Sequence, residues 1–219
     1  AKELAKINDN KSESYYDKRS GRVPYMGFLT DIHIYAIWAA TFADTTTNFM
    51  LIIYITPYLN MLKFSEMEIA YCSALASYRF LACKLATGVF SDRFQMISEA
   101  AKIRIFAVLC LLVPAAVLAT LPSLSMAEHT RGVAVAMIVL FQMLIDFSVG
   151  SIAKSTLLLS GPYAFFVVGQ IQLFKSIAVF LEPWLFNLLV PENTIAQWSF
   201  FFYFHCIVLI IGFALYFPL

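Results

Sequence analysis

The feature that most constrains this chain is a series of six apolar runs, each near the length needed to cross a bilayer, which fill almost everything after residue 30. An α-helix rises about 1.5 Å per residue, so about 20 residues cover the ~30 Å hydrocarbon core. The runs fall near residues 32–55, 69–90, 103–121, 132–152, 163–190 and 198–217. They are about twice as long as barrel strands and lack apolar–polar alternation, which predicts six transmembrane α-helices. Pro57 marks the expected end of the first span. Pro114 and Pro183 fall inside the third and fifth, where neighbouring helices or hydroxyls take up the freed carbonyls.

Composition agrees with lipid as the solvent. Apolar residues make up 61% of the chain and charged residues 13%, against about half and a quarter in soluble domains. A water-soluble fold would expose large apolar patches with this content. The net charge of +1 gives no reason to expect nucleic acid as a partner. Cys72, Cys83, Cys110 and Cys206 all lie within apolar runs and read as small packing residues, neither metal ligands nor disulfides. No nucleophile elbow, zincin motif or paired metal-ligand spacing is present, so neither enzymatic activity nor a cofactor is expected.

Residues 1–30 mix both charge signs with few apolar side chains and read as an aqueous linker ending in an amphipathic approach; residues 31–219 form the membrane bundle. The start at Ala1, without a leader or an initiator Met, reads as a fragment or a processed chain. Orientation follows from Lys and Arg. On one side lie Lys2, Lys6, Lys11, Lys18, Arg19, Arg22, Arg93, Lys102, Arg104 and Lys154; on the other lie Lys63 and Arg131. The excess puts both ends in the cytosol and leaves the Asn10-Lys11-Ser12 sequon unused. It does not separate the plasma membrane from a vesicle or lysosome membrane.

Six ionisable residues fall inside predicted spans: Asp44, Asp146 and Glu182, and Arg79, Lys84 and Lys175. Each would cost about 2.5–3.5 kcal/mol at a helix centre facing lipid. They are therefore expected to point into the bundle or a wet cavity, either as pairs that fix helix register or as part of a solute or proton path. Lys175 and Glu182 share a helix face two turns apart, and each is expected to meet another helix. Either Arg79 or Lys84 is expected to reach Asp44. His205, inside the last span, reads as a hydrogen-bonded packing residue. Trp198, at the start of that span, suits an interfacial belt.

Gly88-Val89-Phe90-Ser91-Asp92-Arg93 resembles the G-x-x-x-D-R signature that major facilitator transporters carry after their second and eighth helices. The stretch from Val23 through Phe42 resembles the approach to helix seven in the anion–cation symporters of that superfamily, which include the sodium–phosphate cotransporters, sialin and the vesicular glutamate transporters. Pro57-Tyr58-Leu59, Phe64, Ser73-Ala74-Leu75, Thr130-Arg131-Gly132-Val133-Ala134, Pro162-Tyr163, Gly169, Pro183, Asn193-Thr194 and Trp198 continue the likeness over residues 22–219. The resemblance implies helices seven to twelve of a twelve-helix major facilitator fold, whose partner is the N-terminal six-helix half of the same transporter. It also implies a gating role for Gly88, Asp92 and Arg93.

Two departures narrow the substrate. Asp44 stands where vesicular glutamate transporters place an arginine. Ser155 to Pro162 lacks the family's His and Asp, so a glutamate or phosphate carrier is not expected. The expected activity is secondary active transport of a small organic or inorganic anion, coupled to protons or sodium. The candidate pathway is Asp44, Asn48, Arg79, Lys84, Asp146, Gln172, Lys175 and Glu182, with Asp44 or Asp146 carrying a coupling proton. The alternative is a diverged membrane scaffold of the same fold that does not transport.

Overall fold

A computed structural model of the chain describes residues 25–93, 97–125 and 131–218. The predicted linker, apart from its last residues, lies outside them, as do Asn10 and His129. Every described element is helical: α1 (Tyr25–Thr30), α2 (Ile32–Met61), α3 (Glu66–Arg93), α4 (Glu99–Ala107), α5 (Val113–Ser125), α6 (Arg131–Ile145), α7 (Ile152–Ser160), α8 (Ala164–Leu189) and α9 (Ile195–Tyr216). A π-turn at Val108–Leu112 joins α4 to α5. Short 3-10 turns at Asp146–Val149 and Gly161–Tyr163 flank α7. The end of the expected linker is thus helical, as α1.

Local chemistry sets the ends. Asp31 caps α2 by accepting from the His33 N–H at 2.9 Å. That helix runs through Pro57 to Met61, beyond the expected stop. It ends where Lys63 adopts φ 60° and Phe64 N–H donates to the Leu59 carbonyl at 3.1 Å, a Schellman closure. Thr194 and Gln197 form a capping box at the start of α9.

The expected third span is one continuous run with a π-turn immediately before Pro114, which lacks the N–H that a regular turn needs. The expected fourth span is interrupted after Ile145. Here Gly150 lets the Phe106 ring sit where a Cβ would lie, 2.6 Å from the nearest ring atom. Gly161 has φ 48°, a conformation that L side chains rarely adopt, and with Pro162 it separates α7 from α8.

α2 packs against α9, α8, α7, α3 and α6, and α9 also packs on α5. Gly212 of α9 makes the closest approach: a Cβ there would lie 2.6 Å from the Ala43 Cβ of α2. Tyr54, Tyr58, Phe186, Trp198, Phe201 and Phe202 form one aromatic cluster across α2, α8 and α9. Trp198 is buried in it and donates its indole N–H to Asn193 Oδ1 at 2.6 Å. That residue is therefore a core anchor and not the expected belt residue.

Among the described residues, three stretches are long and apolar enough to cross a membrane: Glu99–Ser123, Gly132–Leu189 and Ile195–Tyr216. The second holds 58 residues. As one straight helix it would reach about 87 Å, nearly three bilayer cores, so the interruptions at 146–151 and 161–163 are needed. α2 and α3 have the length, at 30 and 28 residues, but carry more polar groups. Tyr78, Leu81, Leu85, Phe180, Trp184, Ile207 and Ile211 are exposed, an apolar exterior compatible with a multi-pass membrane protein.

Candidate functional site

The site is built from a polar stripe on α2. Thr41, Asp44, Thr45 and Asn48 lie at i, i+3, i+4 and i+7, which puts them on one helix face. They line a cavity of about 400 Å³. Across it stand Lys84 and Phe80 of α3, Ser148 of the 3-10 turn, Thr156 of α7, and Gln172 and Lys175 of α8. The interruption of the α6–α7 run brings Ser148 to the wall. Phe49, Ile52, Ile152, Ile171 and Val168 supply apolar surface.

Charge in this cavity is unbalanced. Asp44 is 8% exposed, and its Oδ1 has no hydrogen-bond partner among the described residues. Lys84 and Lys175 are half-buried, and Lys84 places its ammonium 4.2 Å from the Phe80 ring centroid. Among the described residues none of these three charges is in an ion pair. Two ammonium groups face one carboxylate beside hydroxyls and amides, an arrangement able to hold an anionic group by charge-assisted hydrogen bonds.

The other three charges of the expected spans lie in the core. Arg79 Nη1 donates to Asp146 Oδ2, tying α3 to the 3-10 turn with both side chains buried. Glu182 of α8 places Oε1 3.1 Å from His205 Nε2 of α9, and both residues are 0% exposed. Of the eight pathway candidates, Asp44, Asn48, Lys84, Gln172 and Lys175 line the cavity; Arg79, Asp146 and Glu182 do not. Lys84 shares the cavity with Asp44, and Arg79 turns to Asp146 instead.

Gly88 and Arg93 sit at the end of α3. A Cβ on Gly88 would meet nothing within 4 Å, so no close helix approach uses it here, and Arg93 is exposed. The side chain of Asp92 lies outside the described residues. At the start of α4, Glu99 bridges Lys102 at 2.5 Å and Lys154 of α7 at 2.6 Å. No group of three His, Cys, Asp or Glu suited to a metal ion occurs among the described residues.

Sequence reasoning missed the hydroxyls of Thr41, Thr45, Ser148 and Thr156 and the partnership of His205 with Glu182. The α2 hydroxyls carried a partial signal: Thr41 and Thr45 flank Asp44 at helical spacing, although Thr46 and Thr47 put polar groups on other faces. Ser148 and Thr156 carried none, because their place depends on the break after Ile145.

No family model matches this chain, and no curated protein matches it.

Proposed function

We propose that this chain is one half, helices seven to twelve, of a major facilitator transporter resembling the anion–cation symporters. It moves small organic or inorganic anions by alternating access, driven by protons or sodium. The observation that carries this reading is the cavity in which two lysines face one aspartate. In this reading α2 and α3 also cross the bilayer. Their polar groups Asp44, Thr45, Thr47 and Arg79 are buried among other helices, which spares them the cost of facing lipid. The 58-residue stretch then supplies two spans that reverse at Gly161.

Lys84 and Lys175 hold the anionic group, with Asn48, Gln172 and the threonines hydrogen-bonding its neutral part. Asp44 takes the coupling proton through its unpartnered oxygen. Rocking against the N-terminal half would expose the cavity to each side in turn, with Gly88, Asp92 and Arg93 at the moving junction.

The test is uptake of a panel of carboxylates, sulfonates and phosphates by the full-length protein in proteoliposomes, with imposed pH or sodium gradients. Gradient-driven accumulation of an anion supports the proposal. Failure of every anion either to accumulate or to raise the melting temperature overturns it. That result would favour the non-transporting scaffold, a reading supported by the burial of Arg79 against Asp146 and Glu182 against His205.

A further inference from the structure

α7 is a short segment between two breaks, the 3-10 turn at Asp146–Val149 and the positive-φ residue Gly161. It presents two faces. At about 100° per residue, Ile152, Ala153, Thr156 and Leu157 fall on one side, and all four line the cavity. Ser151, Lys154 and Ser155 fall on the other side. Little apolar surface anchors this helix. Its buried residues are Ile152, Thr156 and Ser160, while Leu157, Leu158 and Leu159 are exposed. A single buried aliphatic side chain is a weak anchor beside the aromatic cluster of α2, α8 and α9, so polar ties carry much of its positioning.

Those ties come from the face turned away from the cavity. Ser151 makes no side-chain cap bond to α7; its hydroxyl instead donates to the Tyr216 hydroxyl of α9 at 3.1 Å. Tyr216 donates in turn to Ser155 Oγ at 2.7 Å, and Ser155 donates to the Ile152 carbonyl at 3.0 Å. Each hydroxyl uses its one hydrogen, and all three point the same way, so each bond polarises the next. Tyr216 is 1% exposed, which keeps water from competing for its oxygen. Its own place is set by Gly212, one turn earlier, which lets α9 lie against Ala43 of α2. Lys154 also meets Glu99 of α4 at 2.6 Å, but that carboxylate is 51% exposed and screened. The buried phenol is therefore the stronger tie.

We infer that Tyr216 is a positioning residue: its hydroxyl, bridging Ser151 and Ser155, fixes α7 so that Ile152, Ala153 and Thr156 stand as one wall of the cavity. Tyr216 does not line the cavity itself. It acts through α7, across from the polar stripe of α2. This rests on the reading of the cavity as the anion site and names what pre-organises it. Binding against a fixed wall loses less conformational freedom than binding against a loose one.

Amide hydrogen exchange read by mass spectrometry on the purified full-length protein tests this. Tyr216→Phe keeps the ring and loses both hydroxyl bonds. The expected result is exchange about 5- to 30-fold faster across residues 152–160, with α2 and α8 unchanged. Unchanged exchange in α7 overturns the inference. So does an equal rise in every helix, which would mark a general loss of stability and no specific hold on α7. Binding of benzoate, methanesulfonate and inorganic phosphate to the same two proteins separates the inference from the transport reading. Weaker binding by folded Tyr216→Phe supports it, and equal binding overturns it. If none of the three binds the wild type, the anion-site reading loses its support and the exchange result alone decides whether Tyr216 holds α7. If Tyr216→Phe fails to fold, Ser155→Ala, which removes the acceptor of the Tyr216 hydroxyl, gives the same readout.

Discussion

The Arg79–Asp146 pair and the group formed by Asp44, Lys84 and Lys175 use the same residue types in the same bundle, yet their surroundings oppose each other. Arg79 and Asp146 meet directly, and both are buried. Asp44, Lys84 and Lys175 surround open space with no ion pair among the described residues. The first arrangement spends its charge on itself and fixes α3 against the α6–α7 break. The second leaves net positive charge facing a cavity of solute size. Charge inside a bundle therefore carries two meanings, and geometry separates them.

The largest expected effect breaks the closed pair. Asp146→Ala leaves the Arg79 guanidinium buried and uncompensated, at about 3–5 kcal/mol. Thermal unfolding in detergent followed by fluorescence should show a large fall in melting temperature. Adding Arg79→Met should recover much of it, whereas no recovery would mean that the pair is not what Asp146 stabilises.

Lys175→Gln should do the opposite. It removes a charge-assisted hydrogen bond worth about 1.5–3 kcal/mol, about 10- to 150-fold in anion affinity, with the melting temperature nearly unchanged. Unaltered affinity would exclude Lys175 from the site. Gly161→Ala probes the backbone between α7 and α8. The strain at φ 48° and ψ −121° should cost about 1–3 kcal/mol without altering anion selectivity, as read by parallel melting and uptake assays. Glu99→Gln should have the smallest effect, because that carboxylate is 51% exposed and water screens it, and the amide oxygen of Gln still offers an acceptor to the buried Lys102 ammonium. A large melting shift there would erase the contrast between core and rim charges.

Helical class was legible because it needs only run length and the absence of alternation. The ends of α3, α8 and α9 followed from run length within a few residues, but the continuation of α2 past Pro57 and the break after Ile145 did not. Asp44, Asn48, Lys84, Gln172 and Lys175 were legible as candidates because polar residues in apolar helices must find one another or water. The grouping was not legible. Arg79 and Lys84 lie five residues apart on one helix, and only the position of the 3-10 turn assigns the first to Asp146 and the second to the cavity.

Sequence alone determined that these helices must hide their charges, because the cost of an ion in hydrocarbon is a property of the residue and its solvent. Tertiary structure alone decided which charges cancel and which stay available. Those outcomes depend on separations of a few ångströms between side chains far apart in the chain, and Coulomb and hydrogen-bond energies change steeply over that range. His205 shows the difference: it is unremarkable as a lone histidine in an apolar run, and acquires a close acidic neighbour only where α9 brings it against Glu182.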